Sequence, residues 1–270
     1  VEQLLFSDIT FRVKEKKPTK EFYMNNRPYI GVTGITSRHQ ALTLARLLPE
    51  VCSHDLMLGV LASNKTLAGE PDLFPNQTPS RLEIEKIFPK RKGILNLLHY
   101  YTSDSIGLFH QMAYAYELAG KDCDGLQLNI AWPDSRVLQR FRKVYPKARL
   151  VLQIGRDALQ EFDRDIDACA DETQKYEGIA TDILFDLSGG EGKAIDPELA
   201  WKFTEKALGN YGMGVAGGLE GNNLSTLKKL FRTFADCSID AQGRLRDAND
   251  HLDLRKAKTY VQQALALLAT

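Results

Sequence analysis

"TDILFDLSGGEGKAIDPELAWKFTEKALGNYGMGVA", residues 181–216, holds one full repeat of the pattern that sets the architecture. The run 181–186 is short and aliphatic, as a strand should be, and a glycine-rich turn follows it. Asp196 can then accept hydrogen bonds from the first amides of a helix, and Pro197 suits the first helical position. Apolar residues three and four apart carry that helix over 197–208, and a second apolar run, 212–216, opens the next strand.

The same rhythm occurs eight times from Tyr29 onward. Strands are expected at 29–33, 55–62, 93–99, 124–130, 148–154, 181–186, 212–216 and 237–241. The helices that follow them are expected at 38–48, 79–89, 104–119, 134–144, 157–177, 197–208, 222–234 and 252–268. Ser37, Asp104, Asp134 and Asn222 add further N-cap signals in a consistent phase. Units this short cannot each hide an apolar face alone, so the fold class is α/β, a single (βα)8 TIM barrel. An open doubly wound sheet is the alternative, and it would bind its ligand at one switch point instead of a central mouth. No linker or low-complexity tract divides the chain. Residues 29–270 therefore read as one barrel domain, preceded by an N-terminal extension at 1–28 in which "LLFSDITFRVK" alternates enough for a strand.

Lys+Arg and Asp+Glu are equal at 35 each, which removes the electrostatic argument for nucleic acid. No apolar run reaches the ~20 residues of a membrane span, and no signal-peptide pattern opens the chain, so the expectation is a cytoplasmic protein with no membrane partner. Cys52, Cys123, Cys169 and Cys237 lie far apart without a CxxC, and they read as buried small apolar side chains. The five histidines include no HExxH or close pair, so no metal and no other cofactor is expected. Nothing in the sequence fixes an oligomeric state.

In such barrels the chemistry sits at the carboxyl ends of the strands. Those positions are Thr33 and Thr36; Ser63, Asn64 and Lys65; His99, Tyr100 and Tyr101; Asn129 and Trp132; Gln153 and Arg156; Asp186 and Ser188; Gly217 and Gly218; and Asp240, Gln242 and Arg244. Asp186 can act as a general acid if burial raises its pKa; the plainer reading is a turn aspartate. His99 can titrate near neutrality, although a lone histidine is more often a packed residue.

Two motifs fail on their chemistry. A P-loop needs GxxxxGK followed by Ser or Thr, but Gly192-Lys193 is followed by Ala194 and the upstream glycine position is Leu187. "GMGVAG" at 212–217 matches GxGxxG by letter, yet its glycines run through the strand itself. Gly217 and Gly218 after the seventh strand and Gly243 after the eighth remain. Backbone amides of those two loops commonly hold phosphate in these barrels, and glycine allows the close approach.

"GVTGITSRHQALTLARL" (31–47), "DGLQLN" (124–129), "ILFDLSGGEGKAID" (183–196) and "VAGGLEGNNL" (215–224) resemble, in order and spacing, segments of phosphoribosylanthranilate isomerases. The likeness spans roughly residues 29–268. It implies a (βα)8 barrel for an Amadori rearrangement of a phosphorylated aminosugar, with Asp186 as general acid and Gly217, Gly218 and Gly243 on the phosphate loops. Thr33 stands where that family has its cysteine base, in a "CGIT" motif, and a threonine hydroxyl is far too weak an acid to replace it. The loop "ASNKTLAGEPDLFPN" (62–76) lacks the family's arginine for the anthranilate carboxylate, with only Lys65 nearby, and Asn129 stands where histidine is common.

The expectation is therefore a barrel that binds a phosphorylated small molecule and isomerises or cleaves it by a mechanism other than the family's Cys/Asp pair. Asp186 is the expected proton donor, Thr33 its neighbour across the pocket and His99 a substitute base. Gly217, Gly218, Gly243, Gly189, Gly190, Asn129 and Lys65 are the expected binding set. The alternative is a non-catalytic phosphometabolite-binding protein.

Overall fold

Side chains along each strand alternate between two apolar compartments, and this alternation closes the fold. The computed structural model describes residues 26–186, 188, 193–207, 209 and 211–268. Its strands are β1 (Tyr29–Thr33), β2 (Asp55–Ser63), β3 (Ile94–Tyr101), β4 (Gly125–Asn129), β5 (Arg149–Gly155), β6 (Asp182–Asp186), β7 (Gly212–Ala216) and β8 (Ser238–Ala241). Each pairs in parallel with the next, and β8 returns to β1 through Ile30↔Ile239 and Gly31↔Asp240. The sheet is a closed (βα)8 barrel, so the open doubly wound alternative is excluded.

One apolar cluster lies inside the barrel: Tyr29, Met57, Leu95, Leu97, Val151, Leu184 and Ala216. The intervening residues, such as Ile30, Leu58, Leu98, Leu152 and Phe185, belong to the larger core between the strands and the helices. With a period of two, the inward set extends to Thr33, His99, Gln127, Gln153, Asp186 and Asp240 toward the carboxyl ends. Toward the amino ends it reaches Arg149 and Asp182. The barrel interior is thus an apolar layer between two polar ones.

Helices flank the strands at Arg38–Ala45, Leu108–Ala119, Ser135–Val144, Pro197–Lys206 and Leu254–Leu268. Ser37, Asp134 and Asp196 cap three of them, accepting from first-turn amides. Five details depart from expectation. The helix at 79–89 shrinks to Ile84–Ile87, and a short helix, Asn64–Ala68, directly follows β2. The helix at 157–177 is broken where Asp163 and Arg164 adopt left-handed φ of 50° and 65°; Asp165 then caps a new helix, Ile166–Glu172. Asp104 serves a turn, with the next helix starting only at Leu108, after left-handed Gly107. Asn222 likewise caps nothing, because Asn223 opens a 3-10 turn there before the helix Lys228–Thr233.

Residues 1–25, which hold most of the expected extension, and Gly189 and Gly190 of the expected binding set lie outside the described residues. No helix among the described residues is long and apolar enough to cross a membrane. Cys52, Cys123, Cys169 and Cys237 are free thiols, and burial pushes Cys123, Cys169 and Cys237 up to about 12.

Candidate active site

The upper polar layer forms the floor of a small, partly open cavity at the carboxyl end of the barrel. His99, Gln127, Gln153, Asp186 and Asp240 face it from β3, β4, β5, β6 and β8. Its wall includes Ser188, Gly217, Gly218, Gln242 and Gly243 from the loops that follow.

These groups form one hydrogen-bonded chain. Thr33 Oγ1 donates to Asp240, lying 3.0 Å from Oδ1 and 2.8 Å from Oδ2. Gln127 Nε2 lies 3.4 Å from Asp240 Oδ2, 3.1 Å from Gln153 Oε1 and 3.4 Å from His99 Nδ1. Gln153 Nε2 donates to Asp186 Oδ2 at 3.0 Å. Ser188 completes the chain, its N–H and Oγ donating to Asp186 Oδ1 at 2.9 and 2.6 Å. Two glutamine amides therefore separate two buried carboxyls.

Space for this chain comes from two glycines on neighbouring strands. A Cβ at Gly31 would stand 2.6 Å from Asp240 Oδ1, and one at Gly59 would stand 2.5 Å from Thr33 Oγ1. Neither distance is tolerable, so Thr33 and Asp240 occupy volume that those glycines leave open. Gly217 and Gly218 have φ of 125° and 55°, which L side chains adopt rarely. Among the described residues, neither the Gly218 nor the Gly243 N–H has an acceptor.

Electrostatics follow from burial without a bonded cation. Burial pushes the Asp240 carboxyl up to about 7; hydrogen bonds from Thr33 and Gln127 oppose this, and the charge on Asp186 reinforces it. Burial also raises Asp186, against the bonds from Ser188. His99 is pulled down to about 4 by burial, so its ring is neutral at pH 7. At the end of β1 the Arg246 guanidinium donates to the carbonyls of Thr33 and Gly34 at 2.6 and 3.1 Å. Burial lowers that guanidinium to about 10, still protonated at pH 7.

Asp186, His99, Gly217, Gly218 and Gly243 thus line one cavity, and Thr33 reaches it through Asp240. Asn129 ends β4 half-buried and Lys65 is exposed on the short helix after β2; neither lines the cavity. The loop after β2 instead reaches across to β8, where Gln77 accepts from Gln242 Nε2 at 2.8 Å and donates to Asp250 at 2.6 Å. Asp240 and Gln153 are strand-end positions, but nothing in the sequence ranks them above their neighbours. Gln127 lies two residues before the end of β4. The available signal is a glutamine at the inward phase of two adjacent strands, in "LQLN" and "VLQIG". Among the described residues, no group of three or more His, Cys, Asp or Glu could hold a metal ion.

No family model and no curated protein matches the chain. Solved structures do match. One is a phosphoribosyl anthranilate isomerase from Thermus thermophilus, 14% identical, with 88% of this chain and 99% of that chain covered and a TM-score of 0.60. Another is a phosphoribosyl anthranilate isomerase in complex with reduced 1-(o-carboxyphenylamino)-1-deoxyribulose 5-phosphate, 12% identical over 88% of this chain and 98% of that one, TM-score 0.59. A native KDPGal structure is 11% identical over 90% and 97%, TM-score 0.53. At these identities the likeness is one of fold. The chain is a (βα)8 barrel of the kind seen in phosphoribosylanthranilate isomerases.

Proposed function

We propose that the protein binds a phosphorylated small molecule of the phosphosugar class at the barrel mouth and isomerises it by proton transfer. The observation that carries this reading is the shared cavity: the Gly218 and Gly243 amides, without acceptors among the described residues, line the same space as the buried Asp186 carboxyl. Amides that approach closely and lack partners suit a phosphate oxygen. A carboxyl raised by burial suits proton donation near neutral pH. The structural neighbour complexed with a deoxyribulose 5-phosphate derivative supports the phosphate half of the reading.

Asp186 is the donor in this reading, and Gly217, Gly218 and Gly243 hold the phosphate. His99 is a neutral acceptor of hydrogen bonds, which fits orienting a hydroxyl better than carrying charge. Residues 29–270 act as the functional domain, with 1–28 as an extension to it. Lys65 and Asn129 serve only at the rim. Thr33 in place of a thiol favours a second reading, a phosphometabolite-binding protein without turnover.

Titration with inorganic phosphate, followed by turnover of a pentose and hexose phosphate panel, separates the readings. The isomerase reading expects saturable phosphate binding, weakened at least tenfold by Gly218→Val, and turnover abolished by Asp186→Asn with binding kept. Binding without turnover would favour the second reading. Absence of phosphate binding would remove both.

A further inference from the structure

We infer that Asp240 is the proton acceptor of this site, taking the role for which Thr33 lacks a thiol and working opposite Asp186 on adjacent carbons of a phosphosugar. The inference rests on the isomerase reading and names the base that reading lacks.

Geometry supports it at four points. Asp240 projects inward from β8, is 5% exposed and faces the same cavity as Asp186. The Thr33 hydroxyl, at the position expected for a base, is a donor to both Asp240 oxygens, so it orients a carboxylate instead of acting as one. Gln127 and Gln153 stand between the two carboxyls, and an amide is a poor proton carrier; the carboxyls remain separate acids instead of sharing one proton over a short bond. Gln127 Oε1 is buried and has no partner among the described residues, which leaves an acceptor for a ligand hydroxyl beside the acid pair.

The groups facing Asp240 agree with this role. Asp186 and a neutral His99 lie across the cavity, while Tyr29 and Tyr260, raised well above the ordinary tyrosine value chiefly by burial, also feel its charge from the surrounding core. Arg246 is the nearby cation, but its guanidinium bonds go to the backbone carbonyls of Thr33 and Gly34. Among the described residues no ion pair involves Asp240, so nothing pins it as a permanent anion.

The step balances without a co-reactant. The Asp240 carboxylate takes the proton from C2 of an aldose phosphate, and the C–H electron pair becomes the C1=C2 bond. The C1=O pair moves to O1, which takes the proton of Asp186. The enediol then returns its O2 proton to Asp186 as C2=O forms, and C1 takes the proton held by Asp240. Both carboxyls regain their starting states.

The test follows deuterium uptake at C1 and C2 by NMR in D2O, with pentose and hexose phosphates in aldose, ketose and N-glycosylamine forms. Asp240→Asn is expected to slow uptake at least ~100-fold while inorganic phosphate binds with wild-type affinity. The wild-type rate is expected to rise with pH through a midpoint near 7. Uptake in Asp240→Asn within threefold of wild type would overturn the inference and leave the isomerase reading standing. No uptake by the wild type would overturn both. If Asp240→Asn fails to bind phosphate, the wild-type pH profile decides: a midpoint near 4 overturns the inference.

Discussion

Asp182 and Asp186 lie four residues apart on β6, point into the same barrel and face residues four apart on the same neighbouring strand. Asp182 at the lower end meets Arg149, whose guanidinium donates at 2.8 and 2.6 Å to its two oxygens and at 2.9 Å to the Arg27 carbonyl. Asp186 at the upper end meets Gln153. The lower carboxylate has a buried partner of opposite charge; the upper one has a neutral amide and a serine. One end of the barrel fixes its charges, and the other keeps carboxyls able to gain and lose a proton. This fits the general division of such barrels into a stabilising lower face and a reactive upper one.

The largest effect should come from breaking the lower pair. Arg149→Met leaves the Asp182 carboxylate buried without its cation and should lower the unfolding free energy by about 3–5 kcal/mol in urea denaturation. The double variant Arg149→Met with Asp182→Leu should recover most of that loss, because it removes both charges. A single variant near wild-type stability would dissolve the contrast between the two ends.

At the upper end the sign with pH reverses from the usual aspartate case. Asp240 releases its proton near 7 in the folded state and near ~3.9 in the unfolded chain. The stability it contributes is therefore complete below about 3.9 and is lost as the pH rises to about 7. The roughly three units correspond to an effect on the order of 4 kcal/mol. Asp240→Asn should be more stable than wild type at pH 8 and should show a flatter stability profile between pH 4 and 7.

Smaller effects follow from packing and from the surface. Gly59→Ala forces its methyl against Thr33 and should cost about 1–3 kcal/mol, with the Thr33–Asp240 contact disturbed in a crystal structure of the variant. Lys229→Ala removes a pair to Glu198 whose side chains are 59% and 72% exposed, and it should change stability by less than about 1 kcal/mol. A larger loss at Lys229 than at Gly59 would invert the argument that burial sets these costs.

The barrel itself is legible in the sequence because strand bounds follow from local apolar runs. β1 and β7 match the expected 29–33 and 212–216, and the other strands shift by one or two residues at their ends. Helices are less legible where polar residues turn the chain. No glycine marks the break at Asp163 and Arg164, so helical spacing runs through it unnoticed.

The site divides in the same way. Asp186 and the glycine loops can be read because they punctuate strand ends. Asp240 and Gln127 matter through neighbours more than a hundred residues away, such as Thr33, which only barrel closure brings into contact. The threonine itself is informative in a way local reading does not reach: it marks a vacant role and, in three dimensions, hydrogen-bonds the carboxylate inferred to fill it.

The most direct test of the contrast is a carbon-detected NMR titration of the aspartate side chains between pH 3 and 9, with Asp240→Asn to assign the resonance. The Asp240 carboxyl should titrate near 7 and Asp186 above the ordinary aspartate range. Midpoints near 4 or below for both would mean that the upper end fixes its charges as the lower end does, and would contradict the account.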